Sequence, residues 1–158
     1  MNPAKLKIKT KSQNYSIIVG NNLTKNISYI LNNNSIRCKN CLLVIDKNIP
    51  KKKINIIKKS LKKRKIYTFF LRATENNKNI KTVNQIIQIL LKNNFSREDC
   101  IISIGGGITG DISGFAASQF KRGLKFINVP TTLLAQVDSS IGGKTGVNTK
   151  YGKNLIGS

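Results

Sequence analysis

"IGGGITGDISGFAASQF" (residues 104–120) is the stretch on which the reading of the fold turns. Gly105, Gly107 and Gly110 form a G-x-G-x-x-G run, with Asp111 directly behind it. The apolar segment Cys100-Ile101-Ile102-Ser103-Ile104 precedes the run, and a stretch rich in Gly, Ala and Ser follows it. Glycines between a strand and a helix let backbone approach a diphosphate, and the helix start offers free N–H groups and its positive end. In the first turn of a dinucleotide-binding fold, the acid that recognises the ribose lies about 20 residues further on. No Asp or Glu occurs between Asp111 and Asp138, so that simple reading fails. A tight strand-to-helix turn without any ligand stays open here, with Gly114, Ala116, Ala117 and Ser118 serving close packing.

Outward from this turn, periodicity alternates between strand and helix. Lys5–Thr10 and Tyr15–Gly20 read as strands joined by a polar turn, and Leu23–Leu31 as a short helix. Cys41–Ile45 is a compact apolar run ending at Asp46, as a buried parallel strand is. Pro50 opens a basic helix, a position proline tolerates. Ile66–Leu71 is the next strand. Val83, Ile86, Ile87, Leu90 and Leu91 predict an amphipathic helix over 80–92. Cys100–Ile104 is a strand, Asp111–Phe120 a helix, Phe126–Val129 a strand and Asn32–Asn34 a loop. Strands alternating with helices give an α/β fold with a mainly parallel sheet flanked by helices. Ligands of such sheets sit beyond the carboxyl ends of the strands. Asp46–Asn48, Arg72–Lys78, Gly105–Asp111 and Pro130–Asp138 fall there. Since the glycine turn comes late in the sheet, acids for a ribose would come from earlier strand ends, Asp46 and Glu75. Each of the two also reads as a solvated loop acid.

Composition narrows the classes. At 158 residues the chain suffices for one domain with a real core. No apolar run reaches the ~18 residues of a membrane span, and Met1–Lys11 lacks the apolar core of a secretory signal; the cytoplasm is the expected compartment. The net charge of +22 is concentrated in residues 1–100, which hold 22 Lys and Arg against four acids. A basic face of that kind can bind nucleic acid by counterion release. The excess is mostly lysine, accompanied by 20 Asn and 24 Ile; these residues share A- and T-rich codons, so coding bias accounts for it without a polyanion partner. Lys51–Lys53, Lys58–Lys59 and Lys62–Lys65 interleave with Ile54, Ile56, Ile57 and Leu61, as a helix with one buried and one solvated face does. Cys38-x-x-Cys41 is a lone pair, Cys100 the other thiol, and histidine is absent. A structural zinc site needs four ligands, so the pair reads as incidental and no metal ligand is assigned.

The last stretch is chemically denser. "VPTTLLAQVDSSIGGKTGVN" (129–148) and "YGKNLIG" (151–157) collect Thr131, Thr132, Asp138, Ser139, Lys144, Asn148, Lys153 and Asn154 among glycines. Hydroxyls, amides and lysines in glycine-rich loops suit a phosphorylated polyol. Gly-Gly-Lys-Thr looks like the end of a P-loop, but that spacing needs glycine where Asp138 stands, and an ATP loop is rejected.

"GGGITGDISGFAAS" (105–118), "RGLKFINVPTTLLAQVDSSIGGKTGVN" (122–148) and "GKNLIG" (152–157), in that order, resemble 3-dehydroquinate synthase over roughly residues 100–158. Iron-dependent alcohol and glycerol dehydrogenases share the glycine turn but not the later pair of motifs. Upstream, "VIDKNI" (44–49) and Glu75-x-x-Lys78 are in register with the family's NAD-binding part. Ala73 and Thr74 depart from the usual Asp-Gly, and Gly146 from the usual alanine. The resemblance implies a Rossmann-like domain over 1–158, incomplete at its C-terminal end and without the helical metal-binding domain. It implies an NAD-dependent lyase converting 3-deoxy-D-arabino-heptulosonate 7-phosphate to 3-dehydroquinate and phosphate, on the shikimate route to chorismate and the aromatic amino acids.

By the same resemblance NAD is held by Asp46, Asn48, Glu75, Lys78, Gly105, Gly106, Gly107, Gly110, Asp111, Thr131, Thr132, Lys144 and Lys153. Asp138, Lys144, Lys153 and Asn154 act at the substrate. A divalent metal, zinc or cobalt, is expected in the complete enzyme, on a glutamate and two histidines outside this chain. The partners implied are a sugar phosphate and, for the complete enzyme, a second subunit in a homodimer, with no membrane and no specific nucleic acid. The chain is expected to be an N-terminal portion, inactive alone. Two other readings are an N-terminal half of another sugar-phosphate cyclase, such as 2-deoxy-scyllo-inosose synthase, and a non-enzymatic basic nucleic-acid-binding module. Scarce aromatics weaken the latter.

Overall fold

Two strands carry the core: β3 (Asn40–Asp46) and β5 (Cys100–Gly105) are adjacent, parallel and buried on both faces over Cys41–Ile45 and Cys100–Ile104. Unbroken runs of β-branched and aliphatic residues suit that central position. In the computed structural model, which describes residues 3–10 and 14–158, β4 (Lys65–Leu71) and β6 (Lys125–Pro130) flank them. The parallel sheet has the order β4-β3-β5-β6.

Side chains alternate across this sheet with period two. Leu42, Val44 and Ile101 face Val83, Ile86 and Leu90 of α3 (Ile80–Lys92) and Ile112 and Phe115 of α4 (Gly107–Gln119). Leu43, Ile45, Ile102 and Ile104 face Ile27 and Leu31 of α1 (Ile27–Asn33) and Ile54 and Ile57 of α2 (Lys51–Ser60). The fold is therefore the Rossmann-like α/β arrangement expected, with two helices on each face.

Two hairpins stand outside this sheet. β1 (Ala4–Lys9) and β2 (Asn14–Val19) pair antiparallel; the polar turn expected between them, at 11–13, lies outside the described residues, as do residues 1–2. β7 (Gly146–Thr149) and β8 (Gly152–Gly157) form a second antiparallel pair, with an irregularity between Val147 and Thr149.

Four expectations need correction. The helix after the glycine turn begins at Gly107, four residues before Asp111, because Gly106 takes the extended N-cap conformation and glycines follow into the first turn. The helix expected over 23–31 opens with a 3-10 turn, Leu23–Asn26, before α1. Asn32 and Asn33 close α1 rather than lying in a loop. The 129–148 stretch is also more regular than a glycine-rich loop: it contains a π-helical segment, Ala135–Ser139, and enters β7.

Candidate functional site

Parallel register places the carboxyl ends of β3, β5 and β6 side by side. Ile45 pairs with Ile104, one residue before Asp46 and Gly105, and Gly105 pairs with Pro130. Asp46 thus neighbours the glycine turn in space although it precedes Gly105 by 59 positions in the chain. Its carboxylate accepts from the Asn48 backbone N–H at 3.0 Å, an arrangement that turns the chain out of the strand.

The turn is closed from above by the segment after β6. The Thr131 N–H donates to the Gly105 carbonyl at 2.9 Å. Thr132 lies over Gly106, where an added Cβ would come 3.3 Å from the threonine methyl, and Ser139 Oγ would stand 3.0 Å from a Cβ on Gly107. The Thr132 hydroxyl accepts from the Ala135 N–H at 3.2 Å. Gly106 has no side chain to cap α4, so the first N–H groups of that helix lack a side-chain acceptor at the N-cap, and Thr132 and Ser139 stand beside them. Thr109 Oγ1 and Ser139 Oγ are buried around this turn without a hydrogen-bond partner among the described residues.

One helical turn further along, Asp111 joins a second group. Lys78, at the entry to α3, is buried, and its ammonium contacts Asp111 Oδ2 at 2.5 Å and Asn154 Oδ1 at 2.6 Å. A buried ammonium needs such partners, since an unpaired one costs several kcal/mol, roughly. An ammonium has three donors, so one remains for a ligand oxygen. Burial pushes the Asp111 carboxyl above the usual range, and the Lys78 ammonium opposes that without reversing it.

Asn148 assembles the rest. It stands at the irregularity in β7, where a bulge re-aims a side chain. Its N–H donates to the Lys78 carbonyl at 2.7 Å, its amide to Glu75 Oε2 at 2.7 Å, and its Oδ1 accepts from the Asn154 N–H at 3.1 Å. Asn154 has φ 56°, a left-handed conformation that asparagine tolerates. Glu75, Lys78, Asn148 and Lys153 line a cleft of about 780 Å³.

The residues singled out in the sequence therefore fall into two neighbouring groups. Gly105, Gly106, Gly107, Thr131, Thr132, Asp46 and Asn48 gather at the strand ends. Glu75, Lys78, Asp111, Lys153 and Asn154 gather at the cleft, and α4 joins the two groups. Gly110 faces Asn128 of β6 rather than open space. Asp138 and Lys144 are exposed and make no side-chain hydrogen bond or ion pair among the described residues. Sequence reading noted Asn148 without a role; the bulge that gives it one has no local signal. It also treated Cys38 and Cys41 as an incidental pair, whereas Cys100 Sγ lies 3.1 and 3.3 Å from their sulfurs. Within that trio, hydrogen bonds from Cys100 and Cys41, with the Arg64 guanidinium, hold the Cys38 thiol well below its usual range.

A parallel sheet with a glycine turn at its carboxyl edge, a helix start aimed over it and a buried lysine beside it define a Rossmann-like α/β protein. The fold is like that of a solved enzyme: the crystal structure of 2-deoxy-scyllo-inosose synthase superposes with a TM-score of 0.89 at 24% identity, over 98% of this chain and 44% of that one. Residues 68–158 match the family model for the 3-dehydroquinate synthase N-terminal region, and the chain belongs to that family.

Among curated relatives, the 3-dehydroquinate synthase of Pelagibacter ubique is 66% identical over 154 residues, covering 98% of this chain and 42% of the relative. That of Bartonella tribocorum is 41% identical over 156 residues, covering 95% and 41%. The chain thus spans well under half the length of these relatives. A 2-epi-5-epi-valiolone synthase from Streptomyces hygroscopicus, solved with NAD+ and Zn2+ bound, has a TM-score of 0.70 at 29% identity, over 77% of this chain and 35% of that one. A second 2-deoxy-scyllo-inosose synthase structure is complexed with carbaglucose-6-phosphate, NAD+ and Co2+.

Proposed function

We propose that this chain supplies the NAD-binding half of a 3-dehydroquinate synthase, the enzyme that converts 3-deoxy-D-arabino-heptulosonate 7-phosphate to 3-dehydroquinate and phosphate. The observation that carries this is the continuity between the uncapped glycine start of α4 and the Lys78–Asp111–Asn154 cluster one turn along the same helix. The orphaned Thr109 and Ser139 hydroxyls around the turn fit a polar ligand lying across it.

In this reading the N–H groups at Gly106 and Gly107 hold a diphosphate, and Thr131 and Thr132 border it. Asp46, Asn48 and Glu75 supply ribose contacts. Bound NAD+ supplies reversible hydride transfer at a substrate carbon. Lys78, held in place by Asp111 and Asn154, orients the oxygens of that carbon's neighbours. Exposed Lys144 and Lys153 are free to meet the substrate's phosphate, and Asp138 its hydroxyls.

The divalent metal of the family does not fit here. Asp111 is committed to Lys78, no histidine exists in the chain, and the three-ligand group found among the described residues consists of buried cysteines away from the cleft.

The test is calorimetric titration of NAD+ into residues 1–158 and into Gly106→Val. The added branched side chain would press on Thr132, where even a Cβ comes within 3.3 Å. A loss of about 1.4–3 kcal/mol, tenfold or more in affinity, is expected; equal affinity removes the turn from the cofactor site. With NAD+, zinc and the heptulosonate phosphate added, residues 1–158 alone are expected to release no phosphate. Steady, chelator-sensitive release that is lost in Lys144→Ala would overturn this.

A further inference from the structure

At the opposite end of the sheet from the glycine turn, three sulfurs meet. Cys41 and Cys100 open β3 and β5 as register partners, and Cys38 approaches from the loop after α1. Their Sγ atoms are 3.4, 3.1 and 3.3 Å apart, and all three cysteines are free thiols. Cys100 lies five residues from Gly105 along β5, about 16 Å at the strand rise. The cluster is therefore remote from the cofactor turn and plays no part in it.

The surroundings are apolar except for one cation. Ile27, Leu31, Ile57 and Leu61 enclose the sulfurs. Arg64 gives its two terminal nitrogens to Ser28 Oγ at 2.6 Å and Asn32 Oδ1 at 2.7 Å. Its Nε is buried with no oxygen partner, and the guanidinium interacts with Cys38. Arg64 as a whole is only half-buried, yet its Nε is turned inward toward Cys38, so a positive charge stands at the edge of the sulfur cluster, where thiolates would be matched better than neutral thiols packed as small hydrophobes.

We propose that Cys38, Cys41 and Cys100 form a binding site for one thiophilic d10 cation. Soft thiolates select zinc and copper(I) over the hard cations. Three thiolates and one divalent ion carry a net charge of minus one, which Arg64 balances; zinc therefore fits the charge, while copper(I) fits the ligand count. Metal–sulfur bonds of about 2.3 Å in a tetrahedral arrangement separate sulfurs by about 3.8 Å. The observed triangle needs to open by only a few tenths of an ångström per side chain, and the loop position of Cys38 allows it. The fourth position then opens toward the side of Cys38, the most exposed of the three at 7%. Such a site clips the α1–β3 loop to the amino edge of the sheet and adds its binding energy to folding. The binding releases the thiol protons and involves no oxidation.

The experiment is anaerobic titration of Co2+ into the reduced chain of 158 residues, read by thiolate-to-cobalt charge-transfer absorption in the near ultraviolet. One equivalent is expected to saturate the band, Zn2+ to bleach it, and Zn2+ to raise the thermal midpoint. Copper(I), delivered from a chromophoric chelator, is expected to compete for the same equivalent if the three-ligand form dominates. Cys38→Ser, at the loop position, should lose about a third or more of the band while leaving NAD+ affinity unchanged. Should Cys100→Ser not fold, Cys38→Ser and the wild-type stoichiometry still decide. Cobalt bound without a charge-transfer band, a band unchanged in Cys38→Ser, or a fully reduced chain that takes up none of the three ions would overturn the proposal.

Discussion

A methyl group on Gly114 would stand 2.5 Å from the Thr145 methyl and 3.2 Å from the Phe126 ring. That glycine is where α4, β6 and the entry to β7 come together, and it has no room to give. Gly114→Ala is expected to destabilise the chain by about 1–3 kcal/mol, as overpacking does, measured as a lower urea midpoint with unchanged slope; an unchanged midpoint would mean that the hairpin yields freely. Asp99 is a second single-residue control. Burial alone would push its carboxyl up, but hydrogen bonds from Ser96 and Asn40, both backbone and side chain, outweigh it and hold the group below its ordinary range. A lowered folded value means that the stabilisation is full above the unfolded value of about 3.9 and is lost as pH falls through the folded one. Asp99→Asn should therefore lower stability at neutral pH by about 1–3 kcal/mol and flatten the acid limb of the stability profile below about pH 4. A mutant whose acid limb matches wild type would show that the carboxylate does not titrate with folding. The carboxylate's role was not legible in "SREDC" (96–100), because its donor Asn40 is remote in the chain.

At the scale of elements, α3 shows how a cap serves two purposes. Asn79 precedes it in an extended conformation and accepts from the Thr82 N–H at 3.0 Å, while its backbone bridges in parallel to Asn148. Asn79→Ala is expected to cost about 1 kcal/mol in a denaturant melt, with little change in NAD+ affinity because the backbone bridge survives. A loss of affinity tenfold or greater would show that the cap also positions Lys78. The amphipathic stripe of α3 was readable as a pattern, and so were the apolar runs of β3 and β5. By contrast, α4 is buried on nearly every side, so it carries little amphipathic contrast, and its glycine start reads as turn. The β7–β8 pair escaped for a related reason. Its strands are short, glycine-bordered and bulged, and their pairing is set by contact with α3 and α4 rather than by alternation.

For the molecule as a whole, the charge of +22 sits largely on solvated faces such as the outer side of α2, where Lys51, Lys52, Lys53 and Lys59 are exposed and Ile54 and Ile57 buried. Fluorescence anisotropy with random duplex DNA should give weak binding that falls by orders of magnitude between about 50 and 200 mM salt. Sequence-selective binding that survives high salt would make the basic face a recognition surface. Among the described residues no helix is long and apolar enough to cross a membrane. What the sequence by itself determined was the alternating α/β order, the parallel sheet, the glycine turn after β5 and, through motif resemblance, the family. These follow from periodicity and from residues close together in the chain. Only the tertiary structure decided that Lys78 meets Asn154 across 76 positions, that Asn148 ties Glu75 to the hairpin, and that Cys100 completes a triangle with cysteines some 60 residues earlier. Such meetings depend on which strands lie side by side and on where a bulge turns a side chain, and a linear pattern contains neither.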